Sequence, residues 1–173
     1  RWSVSELYEW YAREVKVTQH TNDIQYLAIK LVIEVSEAAQ ILVKEKFHGK
    51  SFNREKFVEE NSDAFWYLFA CADYMGAEVE EYGTGEFTPQ DVDAFSEMEE
   101  ALLDAAAFMG RMKQPSYNPE HVSDLLLSCF SHIELALLAV DCTVEEAMRY
   151  NIAKLRGRHG TSYNPEFYQG RGA

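Results

Sequence analysis

Apolar residues recur at helical spacing along nearly the whole chain, and prolines, of which there are 4, and β-branched runs are too scarce to interrupt it. That periodicity confines the chain to an all-α fold. It predicts helices at about Ser3 to Val17, Asp23 to Phe47, Arg54 to Met75, Pro89 to Lys113, Pro119 to Val140 and Val144 to Arg158. The breaks fall at His48-Gly49-Lys50, Gly83-Thr84-Gly85 and Lys113 to Asn118, and Gly160 to Ala173 reads as a loosely held tail.

One short signal occurs three times. "SYNPE" spans Ser116 to Glu120 and again Ser162 to Glu166, and "SFNRE" spans Ser51 to Glu55. An Asn N-cap followed by Pro and an acid in the first turn suits the start of a helix, so capping alone accounts for the recurrence. The flanks of two copies say more. "EVSEAA" (Glu34 to Ala39) precedes "SFNRE" as "EMEEAL" (Glu97 to Leu102) precedes the first "SYNPE". "NSD" ending at Asp63 and "VSD" ending at Asp124 follow them, each leading into an apolar helix that runs to "AEVEE" or "CTVEE". The order of features marks a diverged duplication of a helical hairpin: hairpin 1 about 23–81, hairpin 2 about 91–146. A basic helix end and tail, 147–173, complete one domain covering 1–173.

The two copies differ in their acids. Glu34 and Glu37 lie one turn apart on one predicted helix, and Glu60 and Asp63 one turn apart on the next, so each pair shares a helix face. Antiparallel packing of the two helices would let four carboxylates converge, which is costly unless cations sit among them. Hard oxygen ligands without Cys or paired His select Mg²⁺, or Mn²⁺, over Zn²⁺. In the second copy Glu97 and Glu100 remain, but His121 stands where the third acid would be. Glutamates at this spacing are common on solvated faces. Here, however, they interrupt the apolar stretches "AIKLVIEVSEAA" and "ENSDAFWYLFACA", and a buried carboxylate without a partner is hard to justify structurally.

Other chemistries are disfavoured. The formal charge of −13 argues against a nucleic-acid surface. No stretch reaches the roughly 18 apolar residues of a membrane span, by inspection of the sequence. Cys71, Cys129 and Cys142 form an odd set without CxxC, expected as reduced core thiols of a cytoplasmic protein, and the N-terminus shows no signal-peptide pattern. Glu45-x-x-His48 is half of a di-iron pattern whose other half is absent, and there is no glycine-rich phosphate loop.

"KLVIEVSEAA", then "ENSDAFWYL", then "NIAKLRGRHG" resemble the all-α nucleoside triphosphate pyrophosphohydrolases, the MazG-like group that includes dCTP pyrophosphatases and dimeric dUTPases. The two motif helices and the Asn151 segment carry the resemblance, and Glu80 to Val140 looks like an insertion relative to short members. Many MazG proteins carry a further Glu just before the first motif acid, where this chain has Ile33; the dCTP pyrophosphatase branch also lacks that acid, so the departure bears on subgroup more than on activity. The resemblance implies Mg²⁺ held by the catalytic acids Glu34, Glu37, Glu60 and Asp63, and hydrolysis between the α and β phosphates to a nucleoside monophosphate and pyrophosphate.

Substrate groups follow. Asn151, Lys154 and Arg158 lie at i, i+3, i+7 on one face of the only markedly basic region, which also holds Arg149 and Arg156. They suit phosphate and sugar contacts, although basic residues in a last turn also offset the helix dipole. Tyr67, one turn after Asp63, corresponds to a substrate-contacting position in the dCTP pyrophosphatase branch. Lys30, one turn before Glu34, pairs with that acid or reaches a phosphate, and His20 and Asn22 are weaker candidates for a base pocket.

Two functions are therefore carried forward: a Mg²⁺-dependent pyrophosphohydrolase of a (deoxy)nucleoside triphosphate, or a non-catalytic helical module whose acids are a remnant or a structural metal site. Short family members pair two chains to complete a four-helix-bundle core, so the second hairpin is expected to supply the missing half within one chain. Its Leu102, Leu103, Phe108, Leu125, Leu126, Phe130 and Leu137 are expected to pack against the first. Homodimerisation through other faces stays open.

Overall fold

The computed structural model describes residues 3–80 and 86–159, without the side chains of Arg158 and His159. The Gly83-Thr84-Gly85 break, the third copy of the cap signal and the expected tail lie outside the described residues. The helices are α1 (Val4–Thr18), α2 (Ile24–His48), α3 (Arg54–Met75), α4 (Ala94–Met112), α5 (Pro119–Ala139) and α6 (Val144–His159), and the fold is all-α.

The starts of these helices are written in single polar side chains. Asn53 Oδ1 accepts from the Lys56 backbone N–H at 3.0 Å, and Asn118 Oδ1 accepts from Glu120 N–H at 3.0 Å, so both described copies of the repeated signal are N-caps. Asp23 caps α2 through Gln25 N–H, also at 3.0 Å, and Gly49 ends that helix at φ +65°, where a Cβ would be strained. The expected start of the fourth helix at Pro89 needs correction. Pro89–Asp91 is an isolated 3₁₀ turn, because Asp91 Oδ2 accepts from both the backbone N–H and the hydroxyl of Thr88, each at 2.9 Å. The chain then extends at Val92, and Asp93 caps α4 separately.

α2 packs along α3 and α4, and α5 closes the ring by packing along both α3 and α4. Like elements of the two sequence copies thus face each other, α2 on α4 and α3 on α5, which is the pairing a duplicated hairpin would adopt. α1 and α6 lie on α3 and touch one another. At the centre the Phe130 ring meets Phe65 at 5.0 Å, Tyr8 at 5.4 Å and Phe69 at 5.9 Å. Each fully buried aromatic of this kind contributes about 1.5–3 kcal/mol through apolar burial. Phe108, Leu126 and Leu137 of the second hairpin are buried as expected, and Leu102 and Leu125 are half-buried.

Leu103 is the exception, 64% exposed. The buried stripe of α4 runs Met98, Ala101, Ala105, Phe108, Met112, and a residue two positions beyond Ala101 is turned about 200° from it.

A second expectation also changes. α5 does have the length and apolarity of a membrane-crossing helix, with mean hydropathy 1.5. In the bundle its apolar side, Val122, Leu126, Phe130, Ile133 and Leu137, is core.

All three cysteines are unpaired and buried. Burial holds the Cys71 and Cys129 thiols well above their ordinary range.

Candidate functional site

α2 carries Glu34 on the same side as the buried Leu27, Leu31, Val35 and Ala38, so core packing of that stripe drives the carboxylate inward. α3 does the same for Glu60, flanked by Phe57, Val58 and Asn61. Glu34 and Glu60 are 8% and 6% exposed although no hydrophobic gain accompanies burying a carboxylate. Carboxylate oxygens of Glu34, Glu37 and Glu60 lie within 4.8 Å of one another, Glu37 being the exposed member. Asp63, one turn along α3, is half-buried and faces α6.

Three carboxylates this close do not all keep their charge. Burial is the main force raising Glu34, to about 9; the charge of Asp63, a hydrogen bond to Glu60 and the charges of Glu37 and Glu60 push the same way. Burial and the hydrogen bond to Glu60 also raise Glu37. Burial acts upward on Glu60 too, but hydrogen bonds from Glu37, Lys56 and Glu34, with the charge of Lys56, outweigh it and leave Glu60 below the ordinary range. Burial and neighbouring charge therefore disfavour the ionised forms of Glu34 and Glu37, while the groups around Glu60 favour its carboxylate.

Lysines surround the cluster. Lys30 Nζ is 3.6 Å from Glu34, Lys56 Nζ is 2.9 Å from Glu60, and Lys154 Nζ is 2.5 Å from Asp63 and 3.3 Å from Glu59. Burial raises Asp63 despite the charge and hydrogen bond of Lys154. Asn151, 1% exposed, donates from Nδ2 to Asp63 Oδ1 at 3.1 Å and accepts at Oδ1 from the Tyr11 hydroxyl at 2.7 Å.

An aromatic wall adjoins the acids. Lys30 Nζ stands 5.6 Å from the centre of the Tyr67 ring; Tyr67 in turn meets Trp66 at 5.0 Å and Tyr26 at 6.5 Å. The half-buried His20 lies near-parallel to Trp66 at 6.3 Å, and burial lowers its pKa. Trp66 is anchored by its indole N–H, which donates to Thr18 Oγ1 at 2.8 Å.

Thus Lys30, Tyr67, Asn151 and Lys154 all stand around the four motif acids. The Arg158 side chain lies outside the described residues. Arg149 and Arg156 do not join Lys154: Arg149 pairs with Glu145 and stands over Trp10, and Arg156 pairs with Glu14 of α1. Asn22 is exposed. In the second hairpin Glu97 Oε2 accepts from His132 Nδ1 at 2.7 Å, while Glu100, His121 and Asp124 are exposed. Among the described residues no second carboxylate cluster forms there.

Sequence reasoning missed Lys56, Glu59 and Tyr11. Lys56 was legible, since it precedes Glu60 by four residues as Lys30 precedes Glu34. Tyr11 was not, because its partner Asn151 is 140 residues away.

Glu34, Glu37 and Glu60, with Asp63 one turn along α3 and outside their 4.8 Å grouping, offer only oxygen donors, of the kind that suits Mg²⁺ or Mn²⁺. A separate groove of about 550 Å³ lies between α1 and the end of α3, floored by Tyr8, Phe69 and Ala72, and none of the four acids lines it. Compared with family models, with curated proteins and with solved structures, the chain matches none.

Proposed function

We propose that this protein is a Mg²⁺-dependent pyrophosphohydrolase that cleaves a (deoxy)nucleoside triphosphate to its monophosphate and pyrophosphate, as the resemblance of its motif acids implies. The observation that carries the proposal is the convergence of Glu34, Glu37 and Glu60 within 4.8 Å, beside Asp63, with Glu34 and Glu60 buried. Glu34, Glu37, Glu60 and Asp63 would hold the ion, which when bound neutralises phosphate charge and lowers the pKa of a coordinated water.

The chain's own groups supply the rest. Lys154 and Lys30, paired with Asp63 and Glu34, would bind phosphate oxygens, exchanging carboxylate partners for them. A motif glutamate not fully committed to the ion would accept the proton of the attacking water. The exposed Tyr26 ring, backed by the buried Tyr67 and Trp66, would offer a surface for the base. The buried thiols suit a cytoplasmic enzyme.

One feature favours the non-catalytic module: Lys30, Lys56 and Lys154 already neutralise part of the cluster, as a structural ion-pair network would. A panel of ribo- and deoxynucleoside triphosphates, with Mg²⁺ or with a chelator, separates the two. Metal-dependent release of pyrophosphate from at least one member is expected. No release from any member, with the fold intact, overturns the enzymatic function.

A further inference from the structure

We propose that Tyr11, on the N-terminal helix and outside the carboxylate cluster, is a positioning residue that sets the orientation of Asn151 and through it the metal-binding geometry of Asp63; this rests on the site assignment made above. Its ring is fully buried and fixed edge-on against Phe69 at 4.9 Å, so the hydroxyl has little freedom of placement. That hydroxyl donates to Asn151 Oδ1 at 2.7 Å, with a second, longer approach of 3.4 Å to the Ser62 carbonyl.

Asn151 is 1% exposed and its amide is a two-ended object. With Oδ1 committed to Tyr11, the Nδ2 end faces Asp63 Oδ1 at 3.1 Å and donates to it. Rotating the amide by half a turn would set two oxygens against each other at Asp63. Loss of the phenol hydroxyl would leave Oδ1 buried without its donor and leave the contact with Asp63 alone to hold the amide. Lys154 holds the same Asp63 oxygen at 2.5 Å, so Asn151 and Lys154 together define where that carboxylate points and leave its second oxygen for a cation. Outer groups of this kind, touching a metal ligand but not the metal, affect affinity by about 10–100-fold in other metal sites.

The test is Tyr11→Phe, which keeps the ring and its packing and deletes one hydroxyl. Mn²⁺ affinity is measured by titration calorimetry on the full chain, and melting is followed by circular dichroism. About tenfold weaker Mn²⁺ binding is expected. Tyr8→Phe, a hydroxyl deletion one turn earlier on the same helix, is expected to bind Mn²⁺ as the parent does.

A purely structural role for Tyr11 would lower the melting temperature and leave Mn²⁺ affinity unchanged, and that result overturns the proposal. A double-mutant cycle gives an independent measure: once Asn151 is replaced by Ala, adding Tyr11→Phe should weaken Mn²⁺ binding no further, and fully additive losses overturn it too. Because the readout is metal affinity, failure of the protein to hydrolyse any triphosphate would count against the enzymatic function and not against the role of Tyr11.

Discussion

Magnesium binding should release protons, and the size of the effect follows from Glu34. Its carboxyl is held at about 9, first by burial and then by the charge of Asp63. At pH 7 that group lies about two units below its midpoint, so a cation must displace a proton at a penalty of about 2.7 kcal/mol, or roughly 100-fold in apparent affinity. Apparent Mg²⁺ affinity should therefore rise about tenfold from pH 7 to pH 8, with about one proton released per ion. Calorimetric titration in buffers of differing ionisation enthalpy reads the proton count directly.

The sign for folding is fixed by the same shift. The folded Glu34 midpoint lies above the unfolded value of 4.5, so its contribution to stability without metal is complete below about pH 4.5 and is lost as pH rises toward 9. Saturating Mg²⁺ should then raise the melting temperature more at pH 8 than at pH 6. Glu34→Gln should flatten the pH dependence of binding. If metal affinity in the unmodified protein were the same at pH 6, 7 and 8, with no proton released, the assignment of the cluster as a metal site would be wrong.

The remaining predictions are simpler. Asp63→Asn removes charge without volume and should abolish Mg²⁺-dependent pyrophosphate release while far-ultraviolet dichroism stays helical; turnover equal to the parent's would refute its role. Glu97→Gln with Glu100→Gln should retain most turnover, since Glu97 is engaged with His132 and Glu100 faces solvent; a loss as deep as that of Asp63→Asn would mean the second hairpin carries chemistry. Asn53→Ala deletes the α3 cap and should cost about 1 kcal/mol, lowering the melting midpoint by about 2–4 °C at this chain length, which differential scanning calorimetry can resolve.

What could be read from the sequence was whatever depends on near neighbours. The Asn53 and Asn118 caps, the Gly49 stop and the Lys30–Glu34 pair are all set within four or five residues, and each stands where its spacing puts it. The convergence of Glu34 and Glu37 with Glu60 needed one further step, the antiparallel return of a short-looped hairpin, and the apolar stripes on both helices supplied it. The start of α4 was misplaced because two capping signals, Thr88 with Asp91 and Asp93 alone, compete within six residues. Leu103 was misassigned because an apolar side chain carries no mark of which face it occupies. Contacts made by α1 and α6 with α3 depend on how whole helices dock, and no local pattern around Tyr11 pointed to Asn151.

The carboxylates and the groups that engage them are delivered to the folding protein at different times. Glu34, Glu37, Glu60 and Asp63 leave the ribosome as part of one hairpin, whereas Lys154 follows Asp63 by 91 residues. At about 5–20 residues per second that interval is roughly 5–18 s. Throughout it the nascent hairpin presents an acidic cluster with Lys30 and Lys56 nearby but without the α6 amide and ammonium that hold Asp63. Cation capture by an incomplete chain would then lack the geometry of the finished site, and α6, synthesised well after the hairpin, is the helix that completes it.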